Sequence, residues 1–239
     1  MDEPRVIGPR DSHGVLRQLL AAQPPGRILD VPAGPGSLSA FLVERGWDVH
    51  AADIDPGHFE LLDVPFTTVN LNETLPFDGD SFDIVCCVNG LHRLLFPERA
   101  VQEFFRIIKP GGWLYINLNN YSSIRKRLRF LIKGTIDSSL DSQDCDQITD
   151  NPEAYVRLTI FYPRVHRMLK SAGFVDPIVH AAAVHSRDRL LRPVALAVKG
   201  ISRFFFSDSI GSQIIRQAND WSVVGGGTYI CVQCRKPKK

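Results

Sequence analysis

The chain has 239 residues and a mass of 26.7 kDa. At roughly 150 residues per domain, that suits one α/β domain with insertions better than two independent domains. With 44% apolar and 23% charged residues it is neither disordered nor collagen-like, and a net charge of +2 does not mark a dedicated nucleic-acid binder.

Five cysteines are present: Cys86, Cys87, Cys145, Cys231 and Cys234. An odd count, with two adjacent in an apolar run, is not a disulfide framework. A reducing, cytoplasmic compartment is expected. The first residues, MDEPRVIGPRDSHG, hold no apolar core, so no signal peptide is expected. The most apolar stretch, 190–206, is broken by Arg192, Lys199 and Arg203, and no spanning helix is expected.

Segments of two periods alternate along the chain. RILDV (27–31) reads as a strand ending near an acid. SLSAFLVERG follows the loop Pro32 to Gly36, with Leu38, Phe41 and Leu42 spaced for a helix and Gly46 as its stop. WDVHAA (47–52), FTTVNL (66–71) and FDIVCCV (82–88) read as further strands. PERAVQEFFRIIK (97–109) is a helix, with Val101, Phe104, Phe105 and Ile108 as its stripe and Pro110-Gly111-Gly112 as its stop. WLYINL (113–118) is a fifth strand. SSIRKRLRFLIK (122–133) puts Ile124, Leu128 and Leu131 on one helical face, and the polar stretch 137–153 then carries six acids and no base. A helix opens at Pro163 and closes at Gly173. FVDPIVHAAAV (174–184), a helix over 190–206 and TYICVQC (228–234) complete the series.

Strand–helix alternation predicts a doubly wound, Rossmann-like, mostly parallel sheet of seven strands. The whole of 1–239 reads as one domain, with helical insertions after the fifth and sixth strands. These insertions, 121–160 and 185–224, are expected to form a lid or substrate cap. Ligands of such sheets bind beyond the carboxyl ends of the strands. That places Pro32–Gly36, Asp53, Asn70, Asn89–His92 and Asn119–Tyr121 at the site.

Gly34-Pro35-Gly36 lets backbone approach a ligand closely. Asp30 ends the first strand, and Asp53 ends the second. A carboxylate at the second place is set to accept the hydroxyls of a ribose. Two cofactor classes meet this pattern, nicotinamide dinucleotides and S-adenosylmethionine. A dinucleotide loop wants Gly or Ala where this chain has Ser39, and no Tyr-x-x-x-Lys pair follows.

ILDVPAGPGSLSAFL, HAADIDP, LNETLPFDGDSFDIVCCVNGLH and FFRIIKPGGWLYINLNN are similar, in order and spacing, to the successive motifs of class I S-adenosylmethionine-dependent methyltransferases. The resemblance covers residues 25–120 and points to the small-molecule branch. It implies that Asp30 orders the glycine loop or meets the methionine end of the cofactor, and that Ala33, Gly34 and Gly36 pass close to that end. It implies further that Asp53 takes the ribose hydroxyls, that Ile54 packs on adenine, that Asn70 and Leu71 stand where the family often has an acid facing the adenine amine, which Asn70 can still accept from, and that Asn89 and Gly90 lie beside the cofactor. Pro32 departs from the family's first glycine, Asn70 from its usual acid, and His92-Arg93 from its Glu-His or His-His. The segment NYSSIRKRLRFLIKG resembles one in bacterial surface-polysaccharide methyltransferases, which implies a sugar or lipid-linked glycan acceptor.

Methyl transfer chiefly requires holding the acceptor in line with the methyl carbon. A hydroxyl acceptor gains from a general base, and His92 is the candidate. Tyr121 is a candidate to orient substrate. Arg125 and Arg129 are candidates to attract an anionic acceptor, or a membrane surface through peripheral contact. No metal and no nucleic-acid partner is expected. The two thiols of Cys231-x-x-Cys234 would face opposite sides of a strand. A catalytically weak cofactor-binding protein and a nucleic-acid methyltransferase are the alternatives. The acceptor atom and the oligomeric state are not legible in the sequence.

Overall fold

The computed structural model describes residues 13–135, 158–183, 186–205 and 210–238. Its strands are β1 (Arg27–Asp30), β2 (Asp48–Asp53), β3 (Phe66–Thr68), β4 (Phe82–Val88), β5 (Ile108–Asn119), β6 (Val175–Ala182) and β7 (Tyr229–Arg235). They form a single sheet in the order β3-β2-β1-β4-β5-β7-β6. β7 runs antiparallel to both of its neighbours; every other pair is parallel. The sheet is therefore mixed, with β7 entering against the rest.

Successive residues of the apolar strands point to opposite faces. In β4, Ile84 and Cys86 join one core, while Val85 and Cys87 join the other. Cys231 and Cys234 of β7 divide between the two cores in the same way. Those four cysteines are buried free thiols, and Cys145 lies outside the described residues.

On one face lie α1 (Gly14–Ala21) and α2 (Ser37–Val43), through Leu16, Leu20, Leu38 and Leu42. On the other lie α3 (Pro97–Ile107) and α5 (Tyr162–Ala172). α3 buries Ala100, Val101, Phe104 and Ile107, one stripe at helical spacing. Each large side chain fully buried this way contributes about 1.5–3 kcal/mol. The LPF segment before β4 is pinned to α3 by Arg106, which donates to the carbonyls of Leu75 and Phe77 while paired with Glu103. That part of the methyltransferase-like motif therefore does structural work.

α3 stops at Ile107, and β5 starts at Ile108, so Pro110-Gly111-Gly112 lies within the strand rather than ending the helix. α4 (Ile124–Lys133) follows β5, with Ser123 as its N-cap. A 3-10 turn (Ser186–Leu191), α6 (Arg192–Phe205), α7 (Ile210–Ala218) and α8 (Trp221–Val224) lie between β6 and β7. Ile124 of α4, Ala195 of α6 and Val224 of α8 share a small satellite core. The acidic segment 137–153 lies outside the described residues.

Candidate functional site

β1, β2 and β4 all end at one edge of the sheet, and a cleft of about 840 Å³ opens there. That volume falls within the roughly 300–1,000 Å³ of small-molecule sites. Asp30, Ala33, Gly34, Asp53, Ile54, Asn70, Leu71, Asn89, Gly90 and His92 all line it.

The loop after β1 is held from below and from the side. Val31 donates its N–H to the Cys86 carbonyl at 2.9 Å, and Ala33 donates to that of Ala52 at 2.9 Å. Gly34 donates its N–H to Asp53 Oδ2 at 2.8 Å. Its φ is +53°, and a Cβ there would meet nothing within 4 Å. The backbone thus presents a bare surface to the cleft, in a conformation that favours glycine. Gly36 has φ +93° and caps α2; it does not line the cleft. A Cβ on Gly36 would press on Leu61 and Phe59 at 3.0 Å, so this glycine serves packing beneath the loop.

Pro32 takes the place of the family's first glycine. Its ring lies against Gly90: a Cβ on Gly90 would sit 2.5 Å from Pro32 Cδ. The volume Pro32 adds is thus absorbed by a residue of the β4 loop that has no side chain.

Asp30 is 1% exposed, and its Oδ2 accepts the Ser39 hydroxyl at 2.7 Å. Burial drives its pKa up from 3.8 to about 7; the Ser39 hydrogen bond opposes this and the nearby Asp53 charge adds to it. Between those values the folded state holds the proton and the unfolded state does not, so stability present below pH 3.8 is lost as pH rises towards 7. At about 1.4 kcal/mol per pH unit, this interval amounts to at most about 4 kcal/mol. Asp30→Asn should flatten that slope. Urea unfolding of both proteins from pH 4 to pH 8 checks it, and parallel stability curves would show that Asp30 stays ionised when folded.

Asp53 Oδ1 accepts the N–H groups of Ile54 at 2.7 Å and Asp55 at 3.3 Å, so both carboxylate oxygens already hold backbone, and Oδ2, with a single backbone donor, retains a lone pair. Asn70 Oδ1 accepts the N–H of Asn72 at 3.0 Å, and its amide donates to Glu73 at 3.2 Å. Asn72 Oδ1 in turn accepts from the N–H groups of Leu95 and Phe96. This chain of side chains ties the end of β3 to the loop before α3. Asn89 has φ +53°, and its Oδ1 is buried with no hydrogen-bond partner among the described residues. A buried acceptor of this kind calls for a donor from a ligand.

His92 lies in the 3-10 turn Leu91–Arg93 just beyond β4, and its carbonyl accepts the N–H of Leu158 at 2.7 Å. His13, His58, Asn72, Arg93 and Tyr229 also line the cleft and were not singled out from sequence. His13 is brought in by α1, which Arg17 fastens to Ser37 at 2.9 Å. Burial, with Arg17 nearby, lowers the His13 pKa to about 4, so it is neutral at physiological pH.

Three expected substrate residues are not brought to the cleft. Tyr121 is buried, with its ring 6.4 Å from that of Phe161. Arg125 reaches Asp188 at 3.5 Å, tying α4 to the turn before α6. Arg129 is exposed on α4. None of the described residues of 121–160 or 185–224 lines the cleft. The described parts of the two insertions pack on each other.

At this edge of the seven-stranded sheet a glycine loop is thus set between two strand-end acids, Asp30 and Asp53. Residues 29–116 match the family described as "Methyltransferase domain". A demethylmenaquinone methyltransferase of Clavibacter sepedonicus is 40% identical over 97 residues, covering 38% of this chain and 40% of that protein. A ubiquinone/menaquinone biosynthesis C-methyltransferase of Burkholderia mallei is 35% identical over 101 residues, covering 38% and 42%. The chain thus spans about two fifths of the length of these curated relatives. Among solved structures, a SAM-dependent methyltransferase of Archaeoglobus fulgidus has TM-score 0.59 at 14% identity, covering 94% of this chain and 92% of its own. Phosphoethanolamine N-methyltransferase 2 of Haemonchus contortus, in complex with S-adenosyl-L-methionine, has TM-score 0.60 at 15% identity, covering 95% and 52%. These structures share the fold.

Proposed function

We propose that the protein is an S-adenosylmethionine-dependent methyltransferase acting on a small-molecule acceptor. The observation that carries this is Asp53, a strand-end carboxylate bonded to the Gly34 N–H at the mouth of the cleft. The residues present fit the cofactor. Asp53 Oδ2, with one backbone donor, keeps a lone pair for a ribose hydroxyl, and the half-exposed Ile54 offers an apolar side chain to adenine. The bare backbone of Ala33 and Gly34 and the unpartnered Asn89 Oδ1 suit the methionine end, whose ammonium is a donor.

S-adenosylmethionine, when bound, supplies a methyl carbon activated by its sulfonium. The chain's residues bind it, hold the acceptor in line and exclude water. His92, at the cleft edge, is the group to take the proton a hydroxyl acceptor loses.

The sugar or lipid-linked glycan acceptor expected from sequence is not retained. The curated relatives described above are named for methylation of menaquinone and ubiquinone precursors, and Arg125 is engaged with Asp188 away from the cleft. The matched range 29–116 ends before both insertions, so it supports the cofactor half of the protein more closely than the acceptor.

Calorimetry with S-adenosylmethionine and, separately, with NAD tests the proposal. Binding of the first and none of the second is the expected result. Binding of NAD alone would move the protein to the oxidoreductases.

A further inference from the structure

Both insertions rise from the sheet edge that bears the cleft. α4 follows the end of β5; the segment containing α6 leaves the end of β6 and returns at the start of β7, which runs antiparallel. On α6, Ala195 and Ser202 are buried and Val198 is partly buried, at helical spacing, towards the satellite core. A second apolar row, Val194, Ile201, Phe204 and Phe205, faces out, with Phe204 84% and Phe205 71% exposed. The rings of Phe204 and Phe205 meet edge to face, with centroids 5.2 Å apart. On α4, Phe130, Leu131 and Ile132 are exposed at 52%, 80% and 80%. Nothing described covers these side chains, and a cluster of this kind marks an interaction surface.

The charge on the two helices themselves has one sign. α4 carries Arg125, Lys126, Arg127, Arg129 and Lys133, and α6 carries Arg192, Lys199 and Arg203; neither helix contains an acid. Some of these cations are committed to the fold. Arg127 donates to the carbonyls of Ser122 and Ala218 and to Asn219, Arg125 meets Asp188, and Lys199 meets Asp220 at 3.0 Å. Arg129, Lys133 and Arg203 are exposed beside the apolar side chains. A recess between α6 and α7 is lined by Lys199, Arg203, Arg216, Gln217 and Asp220, three cations against one carboxylate. Basic residues flanking outward aromatic and aliphatic side chains are what binds a helix flat on an anionic bilayer.

We infer that α4 and α6 form a docking face for the surface of an anionic phospholipid membrane. Phe204, Phe205 and exposed apolar side chains of the last turn of α4 enter the interfacial layer. Arg129, Lys133 and Arg203 meet lipid phosphates. No helix among the described residues is long and apolar enough to cross a membrane, so the contact is peripheral. It is independent of the cofactor assignment, because none of these residues lines the cleft.

Flotation of the full chain with two kinds of vesicle tests the inference: phosphatidylcholine alone, and phosphatidylcholine mixed with phosphatidylglycerol. Binding is expected only to the mixed vesicles, and it should weaken as salt is raised. At about a fivefold effect per cation near the surface, Arg129→Gln/Lys133→Gln/Arg203→Gln should bind on the order of a hundredfold more weakly. Phe204→Ser/Phe205→Ser should also lose binding. All of these side chains are exposed, so the thermal midpoint of both variants should stay near that of the parent. Failure of the unmodified chain to float with the mixed vesicles overturns the inference without use of any variant. So does equal flotation with both vesicle types, or a dimer that the phenylalanine substitutions dissociate in the absence of vesicle binding.

Discussion

Asp53→Ala should weaken S-adenosylmethionine binding at least tenfold in calorimetry. A hydrogen bond from a ribose hydroxyl to a carboxylate is worth roughly 1.5–3 kcal/mol, and about 1.4 kcal/mol is a factor of ten. The structure adds a second route to the same loss. Asp53 Oδ2 also holds the Gly34 N–H at 2.8 Å, and Oδ1 holds that of Ile54. Removing the carboxylate frees the loop that must lie against the cofactor. Asp53→Asn separates the two routes. It keeps an acceptor for the loop and removes the charge, so its affinity should fall between those of the parent and the alanine variant. Unchanged affinity in Asp53→Ala would sink the assignment of this cleft to the cofactor.

The parts of this site that were legible in the sequence sit at strand ends. Asp30, Asp53 and Asn89 close apolar runs, and a parallel sheet gathers such residues at one edge whatever the details of packing. The apolar runs were legible too, because strands covered on both faces need no polar alternation. What failed to show were contacts made by distant chain. Pro110-Gly111-Gly112 looks like a helix stop, yet the strand already begins at Ile108. Gly111 donates its N–H to the carbonyl of Lys236, and Gly112 accepts from the Lys236 N–H. Lys236 Nζ also donates to the carbonyls of Phe105 and Ile108. The C-terminal segment thus extends β5 backwards, and nothing local announces it.

The direction of β7 was hidden for a similar reason. Its residues alternate like those of any covered strand, and only the path from β6 through α6, α7 and α8 sets the sense in which it enters. His13 and Tyr229 reach the cleft by that kind of tertiary route, one through the docking of α1 and the other at the start of β7. The basic run of α4 was read from local charge alone. Five cations in ten residues suggested recognition of an anionic acceptor or a membrane surface. The fold spends Arg127 on the carbonyls of Ser122 and Ala218 and Arg125 on Asp188, and leaves Arg129 on the surface.

His92→Ala should lower turnover by about 10²–10⁴ if the acceptor is a hydroxyl, while S-adenosylmethionine affinity barely moves. His92 follows β4 at the cleft edge, one residue beyond a buried Leu91, in a turn whose placement Leu158 supports from outside the matched domain. The Leu158 N–H holds the His92 carbonyl, a contact that does not involve the ring. A hydroxyl acceptor loses its proton as the new carbon–oxygen bond forms, and histidine is the side chain whose neutral form can accept it near pH 7. The loss should fall on kcat rather than on KM, because the base acts on the proton in flight and contributes little to ground-state binding. Turnover close to that of the parent would assign His92 to the wall of the cleft and leave alignment of the acceptor as the chain's main contribution to the reaction.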